Sequence, residues 1–254
     1  MIDLPWDPVL VLGPFRTTWH ALFGVLGMAA GAAAGVALAA SRVGAGRAYG
    51  VALAGLGGGL AGSRLFHVVD EWSRYAADPL TALAVWNGGA SIVGGVVGGV
   101  LAGLLVARRD GLPTGVVLDA GAAGLPVGMA VGRIGDLVNG EHWATACAGL
   151  AWCVRYTHPD SPGQREPVHP AVAYELLLDV AILAVVLALR GRGLLRDRLM
   201  FVFLGLYGIG RFALGGVRLD PQLALGLSQA QLVALAFVLV AAAGLARRAS
   251  YARS

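Results

Sequence analysis

The sequence has few charged residues and no lysine. Only 13% of its 254 residues are charged, and all 19 basic residues are arginines. A water-soluble domain carries roughly 25% charged residues. This deficit excludes an ordinary soluble globular protein. The 57% hydrophobic content instead indicates helices that need no polar outer face.

The basic residues do not form a nucleic-acid-binding pattern. The net charge is +4, but the arginines lie mainly in short segments between apolar runs. A nucleic-acid-binding protein concentrates them on one face or stripe. We therefore expect no nucleic-acid partner. The acidic start MIDLPWDPVL lacks the basic segment of a cleaved signal peptide, so none is expected.

Seven apolar runs are long enough to cross a membrane as helices. They lie near residues 17–40, 48–69, 89–107, 113–138, 170–189, 199–215 and 227–246. The sequence therefore predicts an all-α polytopic membrane protein with about seven transmembrane helices. Residues 1–254 are predicted to form a single integral membrane domain. The polar, turn-rich outer loop 141–168 is predicted to form a small extracytoplasmic cap.

The arginines also predict the orientation of the chain. Eleven of the 19 follow the first, third, fifth and seventh runs: Arg42, Arg47, Arg108, Arg109, Arg190, Arg192, Arg196, Arg198, Arg247, Arg248 and Arg253. Cytoplasmic segments of membrane proteins are enriched in basic residues. We therefore expect the N-terminus outside and the C-terminus in the cytoplasm.

Polar side chains gather near the predicted outer ends of six runs. They are Arg16, His20, Arg64, His67, Asn87, Ser91, Arg133, Asp136, Asn139, Glu141, His169, Tyr174, Glu175 and Arg211. Ionisable groups inside membrane spans are costly and often functional, so this layer predicts a wet cavity open to the outer leaflet. Arginines at this depth suit a phospholipid, because guanidinium groups hold phosphate bidentately.

Single residues in this layer also fit structural roles. An isolated arginine can snorkel or form a structural ion pair. For Glu175 and Asp179, one helical turn apart, pairing with an arginine is as plausible as a chemical role. His67 and His169 fit interfacial hydrogen bonding as well as catalysis.

The cysteines and acidic residues indicate no metal site. No cluster of His, Cys, Asp or Glu has the spacing of metal ligands. Cys147 and Cys153 lie in the predicted outer loop, where a separation of six residues permits a disulfide without requiring one.

Several motifs, in order, resemble one protein family. VGRIGDLVNGEHW at 131–143 is similar to G-R-x-G-N-F-x-N-x-E, the signature of the prolipoprotein diacylglyceryl transferases, with Arg133, Asn139 and Glu141 at matching positions. Further similar segments follow the family's order: GSRLF at 62–66, WNGGASIVGG at 86–95, HPAVAYE at 169–175, YGIGRF at 207–212 and RLD at 218–220. Seven helices with the N-terminus outside are also the family's arrangement.

This sequence departs from the family pattern at several positions. Asp136 stands where the signature has Asn, and His20 where the family has Tyr. Val93 replaces the family's histidine, Gly215 its sixth-helix glutamate and Ala144 a glycine. The phosphate-binding arginines are kept, whereas several proton-handling positions are changed.

The resemblance implies an enzyme of the bacterial cytoplasmic (inner) membrane. It would transfer the diacylglyceryl group of phosphatidylglycerol to the lipobox cysteine thiol of an exported prolipoprotein and release glycerol phosphate. No cofactor is implied, and we expect a monomer surrounded by membrane lipids. Arg133 and Arg211 would hold the phosphate and stabilise the leaving group, while Asn139 and Glu141 would order the pocket or position the thiol. These four are the candidate catalytic residues.

The other candidates are substrate-binding residues: His20, Arg64, His67, Asp136, His169, Tyr174, Glu175, Tyr207 and Arg218. A thiol has a pKa of about 8.5, so a base or positive field must assist its ionisation. His20, His67 and Glu141 are the candidates for that base. One alternative is a divergent member acting on another lipid or acceptor, and a second is a non-catalytic phospholipid-binding protein. A transporter is disfavoured, because the polar layer stops at the outer half of the spans.

Overall fold

The protein is mostly helical in the part that the computed structural model describes, residues 1–84, 89 and 91–251, with the backbone only at residues 12, 15, 92, 93 and 247–251. Asn87 and the side chain of Val93 lie outside this part. The helices are α1 (Trp19–Val43), α2 (Ala45–Asp70), α3 (Trp72–Tyr75), α4 (Ile92–Arg109), α5 (Thr114–Asn139), α6 (Ala171–Gly191), α7 (Leu199–Leu214) and α8 (Gln229–Tyr251). A 3-10 turn, Pro79–Leu83, follows α3.

The long helices coincide with the predicted apolar runs, and their ends agree to within five residues. The prediction of a helix at each run is therefore confirmed. Helices α1, α5, α6 and α8 are long and apolar enough to cross a membrane, and α7 is a shorter apolar helix. This is the architecture of a helical membrane protein. The count of seven spans stays a prediction.

Short strands form three two-stranded sheets in the described residues. β1 (Ile2–Leu4) runs parallel to β4 (Val154–Tyr156), β2 (Val9–Leu12) pairs with β3 (Phe15–Thr18) as a hairpin, and β5 (Gln222–Ala224) pairs with β6 (Leu227–Ser228). The hairpin leads directly into α1, and β5 and β6 lead into α8.

The chain folds into two compact units, residues 1–34 with 121–254 and residues 35–120. The single integral membrane domain over residues 1–254 stays a prediction. In the second unit, α2 and α4 pack backbone to backbone. A Cβ at Gly62 would meet the carbonyl oxygen of Gly94, and one at Gly98 would meet that of Gly58. Only glycine permits this approach, which is a common way for helices to associate in membranes.

In the first unit, the loop 141–168 has an ordered structure with one short strand, β4. Cys147 and Cys153 form a disulfide, which the sequence left open. Tyr156 is buried, its hydroxyl donates to the Leu137 carbonyl oxygen at 3.0 Å, and burial raises its pKa to about 12. The loop is thus ordered, and its role as a small extracytoplasmic cap stays a prediction.

Pairing of the N-terminus with this cap was not predicted. Ile2 donates its backbone N–H to Cys153 at 2.7 Å, and Arg155 pairs with Asp3 at 2.7 Å. The hydrogen bond from Arg155 and its positive charge lower the pKa of the Asp3 carboxyl, and together they outweigh desolvation, which would raise it.

Candidate active site

The last turns of α5 carry the first half of the 131–143 motif. Arg133 and Asp136 lie one turn apart, so they share a face of the helix. Nη1 of Arg133 donates to Oδ2 of Asp136 at 3.0 Å. Asp136, which stands where the family has asparagine, is therefore an ion-pair partner of Arg133, the arginine predicted to hold phosphate.

A turn at the end of α5 positions the second half of the motif. Gly140 has a φ of +83°, and a Cβ there would lie 2.7 Å from Oγ of Ser161. That hydroxyl donates to the carbonyl oxygen of Asn139 at 3.0 Å. Across the turn, Nδ2 of Asn139 donates to Oε1 of Glu141 at 3.1 Å. Asn139 and Glu141 therefore form one hydrogen-bonded unit.

Glu175, on α6, is the centre of an ion-pair network. Its Oε2 lies 3.0 Å from Nη1 of Arg133, and its Oε1 lies 3.5 Å from Nη1 of Arg211 and 3.1 Å from Nη1 of Arg218. The Glu175 side chain is only 3% exposed. A buried carboxylate is costly unless it is paired, and three guanidinium groups provide that pairing.

Asp220, in the loop after α7, completes the network. Its Oδ2 lies 3.1 Å from Nη2 of Arg211, and its Oδ1 lies 2.9 Å from Nη2 of Arg218. Burial alone would raise the pKa of Asp220, but hydrogen bonds and charge from Arg218 and Arg211 outweigh it and lower that pKa. The arginine–carboxylate network comprises Arg133, Arg211, Arg218, Asp136, Glu175 and Asp220, with three positive and three negative charges.

Two arginines of this network each make hydrogen bonds to described residues through one nitrogen. The hydrogen bonds of Arg133 to described residues use Nη1 alone, and those of Arg211 use Nη2 alone. Nη1 of Arg211 is buried and has no hydrogen-bond partner in the described part of the chain. Because guanidinium nitrogens seek oxygen acceptors, the remaining N–H groups of Arg133, whose side chain is 17% exposed, suit a phosphate.

His20, at the start of α1, is held against α5. Its Nδ1 lies 2.6 Å from Oδ1 of Asp136, and its backbone N–H donates to Oδ1 of Asn139 at 3.3 Å. A Cβ at Gly135 would lie 3.0 Å from the His20 Cα and 2.6 Å from the Trp19 carbonyl oxygen. The glycine of the motif therefore permits the close approach that brings His20 to Asp136.

His169 and Tyr174 lie beside a cleft under the cap. The Tyr174 hydroxyl accepts from Nε1 of Trp152 at 2.9 Å and lies 3.2 Å from Nδ1 of His169. His169 lines the cleft together with Glu141 and His142. These polar groups provide hydrogen-bonding sites next to the motif.

Tyr207 and Asp179 lie near the arginines. Tyr207 stacks on Phe203, with 5.7 Å between ring centroids, and interacts electrostatically with Arg133 and Arg211. Both carboxyl oxygens of Asp179 are buried without a hydrogen bond from the described residues. Of the two acidic residues on α6, only Glu175 is thus paired directly with arginines.

Arg64 and His67, on α2, belong to the second unit. The Arg64 guanidinium lies 5.4 Å from the Tyr75 ring centroid and donates to the backbone carbonyl oxygens of Ala82 at 2.8 Å and Gly89 at 3.0 Å. His67 contacts Tyr75 edge to face. Arg64 thereby holds the segment after α3. The substrate-binding roles of Arg64 and His67 stay predictions.

Two residues of the first unit were not predicted from the sequence. His142 has Nε2 3.7 Å from Oδ2 of Asp136, and Asp220 bridges Arg211 and Arg218. His142 directly follows Glu141 in the quoted motif, and Asp220 ends the RLD segment. Their positions in these motifs were the available signal.

One group of side chains has the geometry of a metal site. Ligand atoms of Asp7, His158 and Asp160 lie within 4.8 Å of one another. Sequence spacing did not predict this group, because Asp7 lies far from the others in the chain. His158 Nδ1 accepts from the Asp160 N–H, and Asp7 Oδ1 accepts from the Val9 N–H. These loop contacts explain the group without an ion.

Comparisons with known proteins agree on one family. The family model described as prolipoprotein diacylglyceryl transferase matches residues 8–247. A protein of Gloeobacter violaceus named phosphatidylglycerol–prolipoprotein diacylglyceryl transferase is 32% identical, over 95% of this chain and 92% of its own length. A protein of Solidesulfovibrio magneticus with the same name is 35% identical, over 96% of this chain and 95% of its own length. A third protein with this name, from Rhodospirillum centenum, is 36% identical, over 72% of this chain and 67% of its own length.

Proposed function

Because the chain belongs to the prolipoprotein diacylglyceryl transferase family, we propose that it transfers the diacylglyceryl group of phosphatidylglycerol to the lipobox cysteine thiol of exported prolipoproteins. Glycerol phosphate is the second product. The observation that carries this proposal is the position of Arg133 and Arg211, which lie together within 3.5 Å of the buried Glu175.

Arg133 and Arg211 form the proposed phosphate clamp. Oxygens of the phosphodiester accept from N–H groups of the two guanidinium groups, while Glu175 holds these groups in place. Charge grows on the phosphate as the glyceryl carbon–oxygen bond breaks. Fixed donors that face this charge in a water-poor site lower the barrier, and removing one such donor typically costs about 2.7–4 kcal/mol.

The acceptor is proposed to approach the mouth of the cleft beside the loop 141–168, whose interior of about 10 Å³ has room for no more than a water molecule. Glu141 and His169 line this cleft, and Asn139 holds Glu141 through the 3.1 Å hydrogen bond. These contacts support a role for Asn139 and Glu141 in positioning the lipobox segment. The Tyr174 hydroxyl lies 3.2 Å from Nδ1 of His169.

The proposed setting is the bacterial inner membrane, with the N-terminus outside and the C-terminus in the cytoplasm. The distribution of arginines between the apolar runs supports this orientation. We also propose that the working unit is a monomer.

Complementation of a transferase-depleted bacterial strain tests the proposal. The wild-type chain should restore lipoprotein modification. Arg133→Lys should fail, because an ammonium keeps the charge but loses the planar fork. Arg74→Lys is the matched control, since this side chain is 67% exposed, and it should complement. Unmodified prolipoproteins with a correctly inserted wild-type chain would contradict the function.

A further inference from the structure

We propose that His20 is the general base that accepts the proton of the lipobox thiol, and that Asp136 positions it. The inference rests on the proposed transferase function and adds a catalytic residue to it. A base is needed because a thiol is mostly protonated at neutral pH. The family that the chain resembles has a histidine where this chain has Val93, so the resemblance assigns no base at that position.

The contact between His20 and Asp136 fixes the tautomer of the imidazole. Nδ1 of His20 lies 2.6 Å from Oδ1 of Asp136. An ionised carboxylate only accepts hydrogen bonds, so Nδ1 donates, and in the neutral imidazole Nε2 carries the lone pair. This is the arrangement of base and orienting carboxylate that activates nucleophiles in unrelated enzymes.

Exposure favours the same assignment. The His20 side chain is 54% exposed, whereas that of Asp136 is 9% exposed. An incoming thiol can therefore reach the imidazole but not the carboxylate behind it. The 3.3 Å hydrogen bond from the His20 backbone to Asn139 fixes the start of α1 as well.

The surrounding charges link the proposed base to the phosphate clamp. Oδ2 of Asp136 binds Nη1 of Arg133 at 3.0 Å and lies 3.7 Å from Nε2 of His142. Glu141 and Arg133 also act electrostatically on His20. Only Asp136 separates the base from Arg133, so the group that ionises the thiol and the group that holds the leaving phosphate are neighbours.

The other candidates for the base fit less well. Glu141 already accepts a hydrogen bond from Asn139. His67 has no carboxylate within ion-pair distance among the described residues and contacts Tyr75 instead. His142 approaches the Asp136 oxygen that Arg133 already holds.

Two departures from the family pattern meet in this contact. The family has tyrosine where this chain has His20, and asparagine where it has Asp136. A phenol with a pKa of about 10 beside a neutral amide accepts no proton at neutral pH, whereas an imidazole beside a carboxylate does. The two changes together supply the function that is missing at Val93.

The proposed step is balanced in atoms and charge. Nε2 of His20 takes the thiol proton, and the thiolate sulfur bonds to the glyceryl carbon of the lipid. The bond from that carbon to the phosphate oxygen breaks, and its electron pair stays on glycerol phosphate. The imidazolium then gives its proton to the product phosphate or to water.

In the test, purified protein is incubated with phosphatidylglycerol micelles and one of two acceptor peptides. One lipobox peptide carries cysteine, and the other carries selenocysteine, whose selenol is ionised at neutral pH and needs no base. His20→Gln should lower the rate with the cysteine peptide about 10²-fold to 10⁴-fold, the range for losing a general base. With the selenocysteine peptide it should transfer within about tenfold of wild type. Asp136→Asn should lower the rate with the cysteine peptide more than that with the selenocysteine peptide, although both should fall because Asp136 also pairs with Arg133.

Two measurements keep the result decisive. Phosphatidylglycerol binding by His20→Gln should match that of wild type, which shows a folded site. If that variant does not bind lipid, the double variant His20→Tyr/Asp136→Asn, which restores the family's pair, should show the same selectivity. His158→Gln, a histidine in the cap, is the matched control and should transfer to both peptides at the wild-type rate.

Other outcomes overturn the inference. A wild-type rate of His20→Gln on the cysteine peptide shows that His20 is not the base. An equal loss with both peptides shows a structural role only. If the wild type transfers to neither peptide, the proposed function fails, and the inference fails with it.

Discussion

Replacing Glu175 with glutamine should destabilise the protein strongly. The side chain is 3% exposed and lies within 3.5 Å of three guanidinium groups. Glutamine keeps the shape but removes the charge, and breaking a buried ion pair costs about 3–5 kcal/mol. Asp136 and Asp220 still pair with the arginines, so we expect the lower value, about 3 kcal/mol. For a chain of this size that corresponds to a fall in Tm of roughly 6–12 °C.

The lipid headgroup should partly reverse this loss. Glu175→Gln leaves three arginines facing two carboxylates, and an anionic phosphate can supply the missing negative charge. Thermal unfolding is measured in detergent with added phosphatidylglycerol or with zwitterionic phosphatidylcholine. Phosphatidylglycerol should raise the Tm of the variant more than that of wild type. Glu71→Gln is the control, because this carboxylate is 48% exposed and 4.0 Å from Arg74.

Two results would refute this reasoning. A Tm of Glu175→Gln equal to that of the Glu71→Gln control would show that the network does not stabilise the fold. An equal response of the variant to both lipids would show that no anion replaces the lost charge.

Three further predictions concern packing, pH and the cap. Gly62→Ala should lower the Tm, because its Cβ meets the backbone of α4, whereas Gly57→Ala, with nothing within 4 Å, should not. Burial raises the pKa of Tyr156 from 10.0 to about 12. The contribution of this residue to the free energy of unfolding is therefore fully present below pH 10 and falls by about 2–3 kcal/mol as the pH rises to 12. Tyr156→Phe should lack this loss in alkaline unfolding curves. Unreduced protein should not react with maleimide until the Cys147–Cys153 bond is reduced, and immediate labelling would contradict the disulfide.

The helices could be predicted from the sequence because a membrane imposes a simple length rule. About 20 apolar residues are needed to cross it, and polar breaks mark the ends. The pairing of β1 with β4 could not be predicted. A strand of three residues, Ile2–Leu4, has too little alternation to reveal a partner about 150 residues away.

The candidate site was predictable as a set of residues but not as a set of partners. Arg133 and Asp136 could be placed on one face because helical spacing is local. The central role of Glu175 depends on arginines from α5, α7 and the loop after α7, and local spacing carries no such information. Arg64 illustrates the same limit, since backbone carbonyl oxygens of the segment after α3 occupy its donors.

The most direct measurement is mass spectrometry of a lipobox peptide incubated with purified protein and phosphatidylglycerol labelled in both glyceryl groups. The account predicts one labelled diacylglyceryl group on the cysteine sulfur for each labelled glycerol phosphate released. Arg133→Ala should abolish both products together. Unmodified peptide with the folded wild-type protein, or undiminished transfer by Arg133→Ala, would contradict the account.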